Sequence, residues 1–366
     1  MERGLSERVA ELSSRGVVIV DARQVYLGDD VVLERIAPGA TLHPGTRLHG
    51  ARTWVGAGAQ IGVEGPATVI DAVFDRDTAI DSGFVQGAVL LRGAKLGANA
   101  HVRAGTLLEE GASTAHAVGL KQTILLAWVT LGSLINFCDV LMAGGTSRRD
   151  HSEVGSGFIH FNFTPWGKAG DKATASLVGD VVDGVLLRQP RIFLGGAGGM
   201  VGPRKVGYGG IAAAGQVLRR DLAAAKMVLA PPPSLTSSVR VGQLDASEPR
   251  GRRNLDYIAQ LVALRAWYRQ VRMARAHDDA AREVVGAACA VIDGAFDERV
   301  LRLRSFLEER GAAMPQLQLD PPIPCPLALQ PDDVEHTKWV QALDEESVER
   351  LRAWLKAVTE ASLTSP

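Results

Sequence analysis

The feature that most constrains this 366-residue sequence is an apolar residue that recurs every six positions. The period fits neither a strand, which alternates about every two residues, nor an α-helix, with its period of about 3.6 residues. Six-residue spacing beside glycine or another small residue is typical of a parallel β-helix, in which each repeat forms one side of a coil. The in-phase residues are Ile36, Leu42 and Leu48; Val55 and Ile61; Leu90, Leu96, Val102, Leu108, Thr114 and Leu120; and Leu194, Met200, Val206, Ala212 and Leu218. One coil cannot bury its own apolar residue, so we predict a stack of coils.

The composition agrees with a narrow, closely stacked structure. The chain contains 40 glycines and only 5% aromatic residues. Glycine allows a positive φ at corners, and small side chains let neighbouring coils approach each other. The formal net charge of −1 gives no general attraction to nucleic acid or to an anionic membrane. We see no run of about 18 apolar residues, so no membrane-spanning helix is expected.

The cysteines and histidines give no sign of a metal site. The three cysteines are Cys138, Cys289 and Cys325. Their odd number and wide spacing indicate neither a disulfide framework nor a thiolate cluster. The histidine pairs His101 and His116, or His151 and His160, are too loosely spaced to indicate zinc. The charged N-terminus does not read as a signal peptide, so we expect a reduced, cytoplasmic compartment and no metal.

The repeat divides the chain into four predicted regions. They are a helix-and-strand cap (1–25), the hexapeptide-repeat β-helix (26–222), a Pro- and Ser-rich linker (223–254) and an α-helical region (255–366). Helical spacing is carried by Ile258, Leu261, Val262, Leu264, Val284, Val285, Ala288, Val291 and Ile292. We predict two or three helices that end near Gly311 and a last helix after Asp344.

Four arginines share one side of the first predicted helix of this region. They are Arg265, Arg269, Arg272 and Arg275. Such a row can bind phosphate or nucleic acid. The acidic residues interspersed with it, and the near-neutral net charge, favour a solvated helix face instead.

Residues 90–222 contain four segments that carry a family resemblance. They read VRAGTLLEEGASTAHAVGLK, TLGSLINFCDVLMAGGT, FIHFNFTPWGKAGDKATASLVGD and VGPRKVGYGGIAAAGQVLRRDL. In this order they resemble tracts of the C-terminal acetyltransferase domain of bifunctional N-acetylglucosamine-1-phosphate uridyltransferase/glucosamine-1-phosphate acetyltransferase. The resemblance covers a little over a third of the chain. It implies a left-handed β-helix that forms a homotrimer and binds ligands in the grooves between subunits.

The resemblance also implies a set of site residues. The substrate-binding positions fall on Arg103, Lys121, Asn162, Phe163 and Lys172. Fixed cations suit a sugar phosphate or diphosphate, because arginine binds it bidentately and lysine supplies a point charge. The closing coils imply acetyl-CoA or another acyl-CoA as co-substrate. The positions implied near this cofactor are Gly196, Ala214 and Lys226.

The catalytic histidine of the family is missing from its usual place. A general base is needed for acyl transfer, and the family's histidine position falls here on Ala127. His151 and His160, in a later segment, are the candidates for this role. Asp150 and Glu153 flank His151 and can orient its imidazole. For each histidine, a packing role is the alternative.

Two functions remain open at this point. The first is an acyl-CoA-dependent transferase that acts on a sugar phosphate or on a nucleotide sugar such as UDP-N-acetylglucosamine. The second is a non-catalytic sugar-nucleotide-binding or scaffold trimer. The retained arginine, lysine and asparagine positions favour the transferase, whereas the missing histidine favours the second function. Residues 1–35 contain no Gly-rich nucleotide loop, so no nucleotidyltransferase activity is expected.

Overall fold

The computed structural model describes residues 4–161, 175–229 and 247–363. Parallel strands form a β-helix from Val18 to Val228, and an α-helical region that begins at Ser247 folds back against it. The predicted β-helix and the helical region after it are therefore confirmed. Strands of the β-helix also lie before residue 26 and after residue 222, outside the predicted limits 26–222.

One sheet of eleven strands, one from each coil, forms the first face of the β-helix. Its strands are β1 (Val18–Ile19), β3 (Thr41–Leu42), β6 (Gln60–Ile61), β9 (Ala79–Ile80), β12 (Lys95–Leu96), β15 (Ser113–Thr114), β17 (Thr130–Leu131), β19 (Glu153–Val154), β22 (Phe193–Leu194), β25 (Ile211–Ala212) and β27 (Met227–Val228). In a regular coil, Lys95 pairs with Ser113, 18 positions later. Three hexapeptides therefore make one turn.

A second sheet of 16 strands bends around a corner and forms the other two faces. The second face contains β2 (Tyr26–Leu27), β4 (Thr46–His49), β7 (Ala67–Ile70), β10 (Gly83–Gln86), β13 (Ala100–Val102), β20 (Ile159–Phe161), β23 (Gly199–Val201) and β26 (Val217–Leu218). The third face contains β5 (Trp54–Val55), β8 (Val73–Phe74), β11 (Ala88–Leu90), β14 (Thr106–Leu108), β21 (Ser176–Val178) and β24 (Lys205–Val206). Strands β16 (Val118–Leu125) and β18 (Ile135–Met142) run through the corner from one face to the other. They turn at Gln122 and Asp139, whose φ angles are 50° and 56°.

The interior of the β-helix is filled by the residues of the six-residue repeat. All the in-phase residues are buried, and the most exposed of them, Thr114, is 7% exposed. The N-terminal end is covered by α1 (Leu5–Ser14), whose Val9 and Leu12 join this core. Arg8 donates from α1 to the carbonyl oxygen of Gly28 at 2.7 Å. This hydrogen bond gives a backbone carbonyl a partner at the N-terminal end of the described coils.

Short helices interrupt the coils at a few corners. They are two 3₁₀ turns, Ala22–Gln24 and Leu33–Arg35, and α2 (Val181–Gly184). Asp180 caps α2 by accepting a hydrogen bond from the backbone N–H of Asp183. A longer connection between β18 and β19 carries His151.

The helical region packs on the third face of the β-helix. It comprises α3 (Ser247–Ala266), a π-helical segment (Trp267–Arg272), α4 (Met273–Arg275), α5 (Asp279–Glu308), α6 (His336–Ala342) and α7 (Glu345–Leu363). As predicted, a helix follows Asp344, whose carboxylate accepts a hydrogen bond from the N–H of Ser347. On the third face, Leu107, Ile124 and Leu141 are fully buried and share one core cluster with α3, α5 and α7. The helices and the β-helix are thus joined by an apolar layer.

The prediction of a solvated arginine face is wrong for the last two arginines of the row. Arg272 and Arg275 are only 6% and 5% exposed. Arg272 binds Glu110 of the β-helix, and Arg275 binds Asp332 while stacking on Trp339. The remaining two arginines, Arg265 and Arg269, pair with Asp293 on α5. The row therefore joins structural elements to one another.

Candidate functional site

The corner between the second and third faces brings two predicted site residues together. Arg103 follows β13, and its N–H donates to the carbonyl oxygen of Leu120 at 2.9 Å. This pairing sets Arg103 beside Lys121 in the next coil, and the coil spacing is about 4.8 Å. Because Val102 and Leu120 point inward, the side chains of Arg103 and Lys121 point outward on the same face. We call this pair the cation ladder.

Cys138 continues the row by one coil, since it pairs with Lys121. Its thiol donates to Oδ1 of Asn136 at 3.0 Å. Burial raises the pKa of the Cys138 thiol, although the hydrogen bond to Arg103 and the charges of Arg103 and Lys121 act in the opposite direction. The thiol therefore stays protonated near neutral pH and serves as a hydrogen-bonding member of the site.

A groove runs along the same corner, between the coils and α5. We call it the corner groove; its volume is about 740 Å³. Both walls contain small residues: Gly87, Ala88, Ala104 and Gly105 on the coils, and Gly286, Ala287, Ala290 and Gly294 on α5. Ala104 and Gly105 directly follow Arg103, and Gln122 directly follows Lys121. The cation ladder therefore lies at the edge of the groove.

Three other predicted substrate residues, Asn162, Phe163 and Lys172, lie outside the described residues. The described strand before them, β20, ends at Phe161 on the second face. Their binding roles stay predictions.

His160 points into the β-helix and is 3% exposed. Its Nδ1–H donates to the carbonyl oxygen of Cys138 at 2.5 Å, because a carbonyl can only accept. Its Nε2 then accepts from the hydroxyl of Ser176 at 2.8 Å. Burial lowers the pKa of His160 to about 4. The neutral ring has both nitrogens engaged, which is the geometry of a packing residue; its catalytic role stays a prediction.

His151 lies at another corner, between the third and first faces, just before β19. Its Nδ1 is 3.0 Å from the carbonyl oxygen of Arg148, and its Nε2 is 3.8 Å from Glu153. A ring that donates through Nδ1 keeps the Nε2 lone pair for a proton. His151 thus has the hydrogen bonding of a base, but within one chain it lies at a different corner from the cation ladder.

The residues predicted near an acyl-CoA are distributed over two corners. Gly196 and Ala214 lie in adjacent coils after β22 and β25, because Leu194 pairs with Ala212. A Cβ on Gly196 would lie 2.6 Å from the carbonyl oxygen of Ser156, so the close approach of the coils requires glycine there. Lys226 precedes β27 at the corner between the third and first faces. The structure therefore brings Gly196 and Ala214 together and sets Lys226 apart.

The helical region covers Ala127, the position on which the resemblance is predicted to place the family's histidine. Ala127 is buried, and its N–H donates to Glu109 at 3.1 Å. The Tyr268 hydroxyl donates to the other oxygen of Glu109 at 2.7 Å, and Arg272 binds Glu110 with two bonds of 2.6 and 2.9 Å. Burial raises the pKa of Glu109. For Glu110, burial is outweighed by the Arg272 guanidinium, which lowers the pKa of that carboxyl.

Sequence reasoning did not identify this buried cluster. Its only sequence signal is two adjacent glutamates, Glu109 and Glu110, within an otherwise apolar and glycine-rich repeat. Among the described residues, we find no group of three or more His, Cys, Asp or Glu side chains arranged to hold a metal. None of the described helices has the length and apolar character needed to cross a membrane.

Comparison with known proteins gives relatives for part of the chain. No protein-family model matches it. Over 214 residues it is 27% identical to the bifunctional protein GlmU of Kineococcus radiotolerans, covering 58% of this chain and 38% of that protein. The corresponding values for GlmU of Carboxydothermus hydrogenoformans are 25% over 224 residues, 61% and 44%. GlmU of Thermus thermophilus is 31% identical over 161 residues, covering 42% of this chain and 32% of that protein.

These relatives confirm the resemblance inferred from the sequence. The matches to GlmU proteins cover about 60% of this chain in the longer alignments. The chain spans only about two fifths of the length of the first two relatives.

Proposed function

We propose that this protein binds a nucleotide sugar or a sugar phosphate at the cation ladder. The observation that carries the proposal is the outward pairing of Arg103 and Lys121 in adjacent coils, beside the corner groove. Two cations that project from backbone positions about 4.8 Å apart suit the oxygens of a phosphate or diphosphate. The resemblance to GlmU proteins supports a sugar attached to that phosphate.

Binding is tested by isothermal titration with UDP-N-acetylglucosamine and with glucosamine 1-phosphate. Each charge-assisted hydrogen bond contributes about 1.5–3 kcal/mol, so Arg103→Ala should weaken binding roughly tenfold to a hundredfold. Lys121→Ala should weaken it less, because a point charge is more readily replaced by water. Arg47→Ala is the matched control, since Arg47 is exposed on the same face in an earlier coil. Equal affinity of the Arg103 and Arg47 variants would overturn the proposal.

The position of the ligand can be tested independently through Cys138. A ligand at the cation ladder should slow maleimide labelling of Cys138, which lies in the same row. Cys325, which is also partly buried but lies in the helical region, provides the internal control. Unchanged labelling of Cys138 at saturating UDP-N-acetylglucosamine would place the ligand elsewhere.

A second candidate function is transfer of an acyl group from acetyl-CoA or another acyl-CoA to the bound sugar. The similarity to GlmU and the closely stacked coils at Gly196 and Ala214 support it. The base is then His151, supplied by a neighbouring subunit of a homotrimer, because His151 and the cation ladder lie at different corners of one chain. A CoA-release assay over amino sugars, with His151→Gln as the test variant, decides this question. If the protein binds the sugar nucleotide but releases no CoA, the acyl-transfer proposal is rejected and ligand binding alone remains the proposed function.

A further inference from the structure

The corner groove is kept open by residues that packing does not require. Gly286 and Gly294 lie within α5, where glycine destabilises a helix relative to alanine. A Cβ built on either glycine meets no other atom within 4 Å, apart from its own neighbouring helix. In ordinary packing, a larger side chain would fill this space against the coils. The empty volume is therefore a property of the groove and not a steric necessity of the fold.

The groove has the form of an elongated channel. From Arg282 to Gly294, α5 lines it over about 18 Å at the usual helical rise. Its volume of about 740 Å³ lies within the usual range for small-molecule sites, roughly 300–1,000 Å³. Val73, Val89 and Val291 add apolar surface to the small residues of the walls. A linear apolar chain fits this shape better than a compact ring does.

The charges differ at the two ends of the groove. We call the end beside the early coils the lower end and the end beside the cation ladder the upper end. At the lower end, each arginine is paired with one carboxylate. The pairs are Arg35 with Glu283 (2.6 Å), Arg52 with Asp71 (3.3 Å) and Arg282 with Asp279 (3.0 Å). At the upper end, Arg103 and Lys121 have no ion pair among the described residues. An anionic group is therefore attracted to the upper end, and an apolar chain then points downward.

Gln122 provides a polar group between the cation ladder and the apolar part of the corner groove. It follows Lys121, lines the groove and lies over Gly105. Its Oε1 is buried and has no hydrogen-bond partner among the described residues. A buried acceptor without a donor destabilises the structure, so a hydroxyl or amide N–H of a ligand would be favourable here.

We propose that the anionic ligand of the cation ladder is an amphiphile, with a phosphate at Arg103 and Lys121, a hydroxyl or amide facing Gln122, and a linear apolar chain in the corner groove. The inference rests on the proposed function and specifies its substrate class: the sugar phosphate or nucleotide sugar carries an acyl or alkyl chain. The groove supplies the apolar surface, and the ladder sets the orientation of the ligand.

Three soluble probes separate the contributions of head group and chain. Octyl phosphate has both, glycerol 3-phosphate has the head group alone, and 1-octanol has the chain alone. By titration calorimetry, octyl phosphate should bind at least tenfold more tightly than glycerol 3-phosphate. Arg103→Ala should weaken octyl phosphate but leave 1-octanol unchanged.

Filling the groove tests the location of the chain. Gly286→Leu and Gly294→Leu should each weaken octyl phosphate at least tenfold and leave glycerol 3-phosphate unchanged. Gly286→Ala and Gly294→Ala are the matched controls, because they remove the glycine but add little volume. All four variants should keep or raise the melting temperature, so that a loss of binding cannot be ascribed to unfolding.

The outcomes separate this inference from the proposed function. Octyl phosphate that binds no more tightly than glycerol 3-phosphate, or that is insensitive to Gly286→Leu, overturns the inference even where UDP-N-acetylglucosamine binds. Groove-dependent binding of octyl phosphate without binding of UDP-N-acetylglucosamine supports the amphiphile but overturns the sugar-nucleotide function. Binding to phosphatidylglycerol vesicles, with none to soluble octyl phosphate, would assign the ladder to a membrane surface and overturn the soluble ligand.

Discussion

His160, which is buried, and Asp75, which is half-buried, are two ionisable residues with opposite effects on stability. Burial lowers the pKa of His160 to about 4, below its ordinary value of about 6.5. The unfolded chain then binds more protons between these values, so His160 lowers stability as the pH falls from about 6.5 to 4. Burial raises the pKa of Asp75 to about 6 from 3.8, so Asp75 lowers stability as the pH rises through this window.

We expect these two contributions largely to cancel between pH 4 and 6, where the windows overlap. Each shift of about two pH units corresponds to roughly 3 kcal/mol at most. His160→Gln should leave a protein whose free energy of unfolding falls as the pH rises from 4 to 6. Asp75→Asn should leave one whose free energy of unfolding rises with pH up to about 6.5. Urea unfolding at several pH values measures both slopes, and equal slopes in the two variants would contradict the assignment.

At the scale of elements, the π-helical segment Trp267–Arg272 connects the helical region to the β-helix. It presents Tyr268 and Arg272 to Glu109 and Glu110, and the guanidinium of Arg272 stacks on the ring of Tyr268 at 4.7 Å. A π-helical turn is often found where a side chain must be placed for a specific contact. This contact gives both buried carboxyl groups a partner at a corner of the coil: Arg272 pairs with Glu110, and the Tyr268 hydroxyl donates to Glu109.

Arg272→Met should therefore destabilise the protein by about 3–5 kcal/mol, because it leaves Glu109 and Glu110 buried without a cation. The loss should be larger at pH 8 than at pH 5, since protonated carboxyls need no cation. The double variant Arg272→Met/Glu110→Gln should recover part of the stability. Chemical denaturation of the single and double variants measures the coupling. Additive effects, or a single variant as stable as the wild type, would contradict a buried ion pair.

Elements with a local signal could be predicted from the sequence. The six-residue period identified the inward residues, because each hexapeptide contains one strand and one corner and so specifies its own side of the coil. Helical spacing likewise indicated the C-terminal helices, and the acidic first turn after Asp344 indicated the last one. In each case, the residues that specify the element lie within it.

Contacts between distant elements had no such signal. Arg272 was predicted to be solvated, since its partner Glu110 lies 162 positions away in the chain. The corner groove also depends on how α5 lies against the coils, and Gly286 or Gly294 alone does not indicate a binding site. Arg103 and Lys121, by contrast, were found through the resemblance, and the coil register then placed them side by side.

At the scale of the whole molecule, α5 links coils that would otherwise interact only with their neighbours. Its N-terminal part is joined to an early coil by Glu283 and Arg35 at 2.6 Å. Its later part is joined to β18 by Arg299 and Asp139 at 2.7 Å. Between these points the helix spans about 24 Å, and six coil steps span about 29 Å. A stack with nearest-neighbour coupling alone would open from its ends, coil by coil.

We therefore expect hydrogen exchange to divide the β-helix into two parts. Amides of the coils between Arg35 and Asp139 should exchange together, at a free energy close to that of global unfolding, because opening any of them disrupts the contact with α5. Amides of the last coils should exchange earlier, since Met227 and Leu229 there are 53% and 70% exposed and α5 does not reach them. Mass spectrometry of peptides over a denaturant series measures both groups. In Arg299→Ala, protection should fall first in β16 and β18; an unchanged pattern, or last coils as protected as the middle ones, would show that α5 does not couple the stack.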